Sequence, residues 1–362
     1  MNKIDEHATN AARAIRCATL AQLRGFDDIL DVRSPSEFHD DHIPGARNFP
    51  VLDDAQRAEV GTLYKKTSPF QAKKFGAALV ARNIARHLEQ SFAAKPPTWK
   101  PLVYCWRGGA RSAAMAHVLN QVGWQAQTLE GGYKSYRHNV SEQLRDLPAL
   151  FRFRVVCGRT GSGKSRLLKA LAKRGAQVLD LEQLAAHRGS VLGDMPDAPQ
   201  PTSKMFESEL WAQLSCFSPE MPVFVEAESK KIGAVAVPDA LLDAMWRSEC
   251  IRLEPALEQR IALLCQEYPH FLTDTASLNK KLEFLTGRHG QSRIAHWAEL
   301  ARQAAWDTLV AELLDMHYDP AYTRSTLKHY ARHAEGIVIR PADLGENALL
   351  ETAGALLETA PV

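Results

Sequence analysis

Two short stretches hold residues whose types and spacing could do chemistry on phosphorus-bearing groups. The first is Cys105-Trp106-Arg107-Gly108-Gly109-Ala110-Arg111-Ser112. A cysteine at the end of a strand, followed by a glycine-containing loop and a helix, sits among converging backbone N–H groups. Those groups and the positive helix N-terminus favour an anion. The same field favours the thiolate of Cys105, the nucleophilic form. Gly108 and Gly109 let the loop curl without a Cβ clash. Arg107 and Arg111 could hold an anionic donor group against the sulfur.

The second stretch is Gly158-Arg159-Thr160-Gly161-Ser162-Gly163-Lys164-Ser165, which fits G-x-x-x-x-G-K-[ST] at every position. Gly158, Gly161 and Gly163 give a backbone able to wrap phosphate. Lys164 supplies charge, and Ser165 would meet Mg²⁺ if a metal is bound. An apolar run ends at Cys157, and Leu167, Leu168 and Leu171 follow at helical spacing. The strand–loop–helix context that the motif needs is therefore expected. Glu226 ends another apolar run and stands where a second acidic motif belongs, with Glu228 beside it. Asp180 and Glu182 end a further one. In a kinase such acids hold Mg²⁺ or orient a nucleophile. The residues leave the ligand open: ATP, GTP or the diphosphate of another molecule.

The elements that must position these loops alternate strand and helix. Strands are expected over 26–33, 102–104, 151–157, 178–180, 223–226 and 336–339, with helix over 111–122 and a helical, mixed-charge region from Pro255 to about Tyr330. Alternation of this kind predicts mainly parallel α/β sheets. The chain of 362 residues suits two domains. We place the first at 12–140 and the second at 150–362, joined by a polar linker that runs to about Asp146. A glycine turn follows Leu129, at Gly131-Gly132.

Composition excludes several classes. Hydrophobic residues make up 45% and charged residues 24%, as in soluble globular proteins. No run is long and apolar enough to span a bilayer. The first residues include Asp5 and Glu6 and no apolar core, so no secretion signal is read and a cytoplasmic location is expected. The six cysteines form no C-x-x-C pair, so metal ligation by closely spaced cysteines is unsupported and no residue is put forward as a metal ligand. Apart from Cys105 they read as small buried hydrophobes.

A net charge of +2 says little, but its distribution says more. From Gly61 to Leu88 there is no acidic residue, while Lys65, Lys66, Lys73, Lys74, Arg82 and Arg86 are basic. On a helix, Val80, Ile84 and Leu88 would be buried together, with Lys74, Arg82 and Arg86 pointing away. Lys230 and Lys231 could extend such a face. It would suit a polyanion, or serve plain solubility.

The cysteine loop resembles that of the rhodanese family. Asp31-Val32-Arg33-Ser34-Pro35-Ser36-Glu37-Phe38, then His42-Ile43-Pro44-Gly45-Ala46, matches that family's upstream motif, and Leu129 to Gly132 its downstream turn. The resemblance implies that Cys105 carries a chalcogen. Asp31 and Arg33 read as a strand-end ion pair, and His42 as a turn residue. Five residues separate Cys105 from Arg111, one more than in common sulfurtransferases. Rhodanese-like phosphatases share that spacing, and a wider cradle could accept a phosphorus-bearing donor.

A rhodanese-like domain followed at once by a P-loop domain resembles the tRNA 2-selenouridine synthase family. Further segments that carry this likeness are Tyr64-Lys65-Lys66-x-Ser68-x-Phe70, Leu181-Glu182-x-x-Ala185-x-His187-Arg188-Gly189-Ser190, and Glu226 to Gly233. The resemblance implies a rhodanese-like α/β domain, then a P-loop NTPase-like α/β domain with a helical C-terminal region. It implies a transferase acting on the wobble uridine of tRNA. Geranyl diphosphate would alkylate a 5-substituted 2-thiouridine, and selenophosphate would then replace the S-geranyl group with selenium, releasing geranylthiol. Cys105 would hold selenium as a selanyl-sulfide. The P-loop would take the geranyl diphosphate, with Phe206, Trp211, Phe224, Met245 and Trp246 as candidates for a groove around its tail. The basic residues would meet the tRNA backbone, and a selenophosphate-producing enzyme is a possible partner. An ATP-dependent tRNA sulfurtransferase of rhodanese type is the alternative.

Overall fold

The computed structural model describes residues 15–195 and 198–358. Residues 1–14 and 359–362, which include Asp5, Glu6 and the outer ends of both expected domains, lie outside the described residues. The chain divides into two compact units, Met1–Ser141 and Glu142–Val362. No helix among the described residues is long and apolar enough to cross a membrane.

The first unit is built on a five-stranded sheet. In chain order its strands are β1 (Cys17–Ala18), β2 (Asp28–Asp31), β3 (Arg47–Asn48), β4 (Pro101–Tyr104) and β5 (Gln127–Leu129). They are all parallel, in the order β1-β5-β4-β2-β3. β4 lies at the centre and is buried along its length, which is why Leu102 and Val103 can be apolar on both faces. Leu30, Val103, Phe92, Trp99, Met115 and Leu119 pack one core around it. Carbonyl ends of parallel strands are where loops can be aimed, and Cys105 follows β4 directly.

In the second unit the strands are β6 (Phe153–Cys157), β7 (Gln177–Leu179), β8 (Val223–Glu226), β9 (Lys231–Ile232), β10 (Val235–Ala236), β11 (Glu249–Leu253) and β12 (Ile337–Ile339). Five of them form a parallel sheet in the order β12-β11-β6-β8-β7, while β9 and β10 pair as an antiparallel hairpin. The helix Lys164–Lys173 buries Leu167, Leu168 and Leu171 against Val156, Phe224 and Ile251. Five further helices of eight or more residues lie between Leu257 and His329. Phe271, Leu282, Trp297 and Leu313 form a core of their own there.

Two expectations change. The polar linker to Asp146 is helix: Gly132–Asp146 runs unbroken across the division between the units. Tyr133, Tyr136, Val140 and Leu144 recur at helical spacing and are all buried, so packing overrides the polarity of the other positions. The basic segment is two helices, Asp54–Lys66 and Pro69–His87, rather than one. Ser68 caps the second by accepting from the Gln71 N–H, and Pro69 takes its first position. Proline lacks the N–H that a continuing helix would need. Ile84 is buried as expected, with Val80 and Leu88 packed partly against the same core.

Asp31 and Arg33 form the expected ion pair, fully buried at the end of β2, with Nη2 2.6 Å from Oδ2. Arg33 also donates to the Asp41 carbonyl, and its guanidinium lies 3.9 Å from the centre of the Tyr133 ring. Burial works against its charge, but the hydrogen bonds and charge of Asp31 hold its pKa above the ordinary value. Removing one partner of a buried pair strands the other. Asp31→Ala is therefore expected to destabilise the first unit by about 3–5 kcal/mol. The urea midpoint of that unit, followed through its tryptophans, checks this.

Candidate active sites

The Cys105 thiol is the floor of an open cradle whose walls are Arg57, Trp106, Arg107, Gly109, Ala110 and Arg111. The Gly109 N–H points at the sulfur, 3.3 Å away, and Ser112 Oγ lies 3.2 Å from it. The helix Ala110–Val122 starts there, so its unpaired N–H groups add to the positive field. The Gly131-Gly132 turn holds the loop in place from behind. Tyr133 N–H donates to the Cys105 carbonyl and Lys134 N–H to that of Trp106, both at 2.9 Å. Gly132 has φ of +60°, and a Cβ on it would lie 2.4 Å from the Cys105 carbonyl oxygen and the Gly108 nitrogen. No side chain fits there.

The two arginines of the loop differ. Arg107 is exposed, while Arg111 is engaged by Glu37, with Nη1 2.8 Å from Oε2. Burial pushes the Glu37 carboxyl up, but the hydrogen bond and charge of Arg111 outweigh it and hold it below its ordinary value. Arg57 Nε stands 3.9 Å from the same carboxylate. Glu37 thus aims two guanidinium groups at one wall of the cradle. Sequence reading missed Arg57 and Glu37 as site residues, because their helices start far from Cys105 in the chain. Ser112, the last residue of the cysteine stretch, carried no assigned role in the sequence. His42 lies just before the turn at Pro44-Gly45 rather than in it, its Nδ1 2.9 Å from the Phe38 carbonyl.

The second site is the loop between β6 and the helix that begins at Lys164. Lys164 Nζ donates to the Gly158 carbonyl at 3.0 Å. Ser165 donates to Glu182 at 2.8 Å. Buried Arg260 braces the loop, donating to the Thr160 carbonyl and pairing with Asp319 at 2.6 Å. Gly161 has φ of +76°, and a Cβ there would lie 2.9 Å from the Leu264 side chain. Arg188 lines the cavity with its guanidinium 4.6 Å from the Tyr268 ring centre, a second cation beside Lys164. Arg188 lies in a segment singled out from the sequence, but its place in the cavity had no local signal. Nor did the Arg260–Asp319 brace, whose partners are 59 residues apart.

Four carboxyl groups gather near Ser165. Glu226 is fully buried behind the cavity, where Oε1 accepts the Glu182 N–H at 2.8 Å and Oε2 has no partner among the described residues. Burial raises it well above the ordinary carboxyl range, and the charges of Asp180, Glu182 and Glu228 push the same way. Glu182 and Glu228 face the cavity itself. Lys230 and Lys231 are exposed, Lys230 being paired with Asp239.

A second, narrow cavity adjoins this one. Its walls include Leu264, Phe271, Leu309, Leu313 and Leu314, and it shares Thr160, Ser190, Leu264, Tyr268 and Tyr318 with the walls of the P-loop cavity. Leu309 and Leu313 come from the helix Trp306–Leu313. The groove candidates read from the sequence lie elsewhere: Phe206, Phe224 and Met245 are core at zero exposure, and neither Trp211 nor Trp246 lines this cavity. Apolar type alone does not separate a core residue from a cavity wall.

Comparison with known proteins places both units. Residues 17–139 match the model of the rhodanese-like domain, and residues 151–336 match that of the tRNA 2-selenouridine synthase AAA domain. The tRNA 2-selenouridine synthase of Bdellovibrio bacteriovorus is 30% identical over 347 residues, covering 82% of this chain and 88% of that protein. The enzyme of the same name from Shewanella denitrificans is 31% identical, with 81% and 87% covered. That from Nitrosomonas europaea is 35% identical over a shorter stretch, 66% of this chain and 63% of the relative.

The Glu228 carboxyl sets a pH limit on the P-loop cavity. Burial, then the charge of Glu182, push it up to about 8. Below that pH it keeps its proton; above it, a negative charge appears in the wall of an anion site. Inorganic pyrophosphate is therefore expected to bind more weakly as pH rises through about 8, and Glu228→Gln to lose that part of the dependence. Calorimetric titration at pH 7 and pH 9 with both proteins reads the difference.

Proposed function

The chain belongs to the tRNA 2-selenouridine synthase family, and from that premise we propose that it exchanges sulfur for selenium at C2 of a 5-substituted 2-thiouridine in the tRNA wobble position. The exchange runs through an S-geranyl intermediate. Thiocarbonyl sulfur is a poor leaving group and a good nucleophile. Its attack on C1 of geranyl diphosphate breaks the C–O bond, expels pyrophosphate and releases the N3 proton. The resulting thioether can then leave as geranylthiol when selenium adds at C2. With water, selenophosphate gives up its selenium and becomes phosphate, so no external oxidant is required.

One observation carries the reading: the P-loop cavity shares its wall with a narrow apolar cavity. A diphosphate joined to an isoprenyl chain has the same two parts. Lys164, Arg188 and the loop N–H groups would take the charge that develops on the leaving pyrophosphate. Leu264, Phe271, Leu309, Leu313 and Leu314 would take the hydrocarbon, with about 0.8 kcal/mol for each CH₂ removed from water. The surface of that second cavity is mostly apolar, which suits a hydrocarbon chain better than a nucleoside. Ser165 and Glu182 supply oxygens suited to Mg²⁺, which usually binds through one or two protein groups plus phosphate. When bound, it would neutralise diphosphate charge; among the described residues no cluster of three acidic, histidine or cysteine ligands could hold a metal by itself.

Cys105 has the surroundings for the other half of the reaction. Its sulfur lies under a backbone N–H and beside Ser112, within a cationic wall made by Arg57, Arg107 and Arg111. Selenophosphate, an anion with a nucleophilic selenium, fits that field; once selenium has added at C2 and geranylthiol has left, the thiolate would take the phosphoryl group from selenium and water would release it as phosphate. The exposed cations Lys65, Lys66, Lys73, Lys74, Arg82 and Arg86, with Lys230 and Lys231, would face the tRNA backbone.

Filling the apolar cavity should separate chain length from phosphate recognition. Leu313→Trp is expected to raise KM for geranyl diphosphate about tenfold or more and leave binding of inorganic pyrophosphate unchanged. Lys164→Ala should weaken both. Steady-state geranylation of a thiolated tRNA, with pyrophosphate titration alongside, checks the pair. A Leu313→Trp protein that geranylates normally would contradict the assignment of this cavity.

A further inference from the structure

The two helices Asp54–Lys66 and Pro69–His87 fold back on one another as a hairpin. Gly76 comes so close to Val60 that a Cβ would lie 3.3 Å from its side chain, and Asn83 donates to Gln56 at 2.8 Å. These cross-contacts put the turn at Thr67-Ser68 at one end and Arg57 toward the other. Arg57 is a wall of the Cys105 cradle. The hairpin therefore leads from the cradle to its tip over about 13 Å, from nine residues at 1.5 Å each.

The tip is unusual in composition. Phe70 is 71% exposed, Tyr64 54% and Phe75 37%. Lys65, Lys66, Lys73 and Lys74 lie among them, all exposed, and none has an ion-pair partner among the described residues. Single exposed hydrophobic residues are ordinary. Three aromatic rings interleaved with four unpaired lysines within twelve residues of chain are not explained by packing or by solubility, which lysine alone would serve. Cations beside exposed aromatic faces are what single-stranded nucleic acid requires: phosphates meet the charges and unpaired bases stack on the rings. A duplex keeps its bases inside and would leave the rings unused.

We propose that the hairpin tip is a stacking platform for unpaired nucleotides near the base that enters the Cys105 cradle. It rests on the tRNA reading above and adds the form of RNA that is gripped. Stacked nucleotides advance about 3.4 Å each, so the tip meets bases roughly four positions from the target, within one loop. Tyr64 and Phe70 are the stacking residues, and the four lysines hold the backbone.

The test uses the full chain and two RNA probes, a stem-loop with 2-thiouridine in the loop and the same stem closed as a blunt duplex. Base stacking on an aromatic side chain is worth about 1–3 kcal/mol, or about fivefold to 150-fold in affinity. Phe70→Ala and Tyr64→Ala should each raise Kd for the stem-loop at least about fivefold and leave the duplex unchanged. The pair Lys65→Ala with Lys66→Ala should weaken both probes and lower the salt slope for the stem-loop by about 1.4. Unchanged melting temperatures and Cys105 alkylation rates would confirm folded variants. Equal loss on both probes, or stem-loop binding unaltered by the aromatic substitutions, overturns the platform; the latter is the result if the tip serves a protein partner. Donor-dependent modification of thiolated tRNA by the unsubstituted chain is scored separately. Its failure strikes the parent reading, whereas normal modification with unaltered binding by the aromatic variants strikes the platform alone.

Discussion

Backbone N–H groups at both sites have to be held open toward an anion, and most of the surrounding structure serves that constraint. Such groups are strong donors that the chain normally satisfies itself. Keeping them free needs a strand that ends abruptly, a helix that starts within a few residues, and a brace on the loop between. In the first unit the brace is the turn at Gly131-Gly132, which reaches the Cys105 and Trp106 carbonyls from behind. In the second it is Arg260, fixed by Asp319 and bound to the Thr160 carbonyl. Each brace acts on backbone carbonyls of its loop rather than on the cavity side of it. Both hold loop carbonyls in fixed hydrogen bonds and so fix the course of the loop backbone.

Similar backbone devices meet different chemistry because of what lines them. At Cys105 the wall is cationic and open, and Glu37 orients two of its guanidinium groups. A small, charged, soluble donor suits it. At the P-loop the cations Lys164 and Arg188 sit beside an apolar slot. An amphipathic donor suits that. The carboxyl groups of Asp180, Glu226 and Glu228 are all raised by burial, which limits the negative charge they bring near a phosphate site at neutral pH. Under the proposed exchange each unit's walls would thus favour a different donor class.

Much of this was legible in the sequence, and the reasons for the remainder are physical. The two loops, the central strands β4, β6 and β8 and the Asp31–Arg33 pair show themselves because local order fixes them: apolar runs, glycines and charges at set offsets. β1 and β3 are only two residues long, too short for any periodicity to register. β11 carries charged residues at Glu249 and Arg252 that mask an otherwise apolar run. The break at Ser68-Pro69 had a signal, a capping residue before proline, that the continuous run of basic residues obscured. The apolar cavity had none. Its walls come from helices far apart in the chain, and Leu309 or Leu313 looks no different from core leucine until packing is known.

The proposed exchange requires a division of labour: the P-loop unit transfers the geranyl group and the Cys105 cradle serves the delivery of selenium. Mass spectrometry of nucleosides from thiolated tRNA tests it most directly. The unsubstituted chain and Cys105→Ala would each be given geranyl diphosphate alone, selenophosphate alone, both, or ATP with a sulfur donor. A geranylated nucleoside is expected from both proteins with geranyl diphosphate, and a selenonucleoside only from the unsubstituted chain and only with both donors. Loss of geranylation in Cys105→Ala, or a product that forms only with ATP and a sulfur donor, would contradict it.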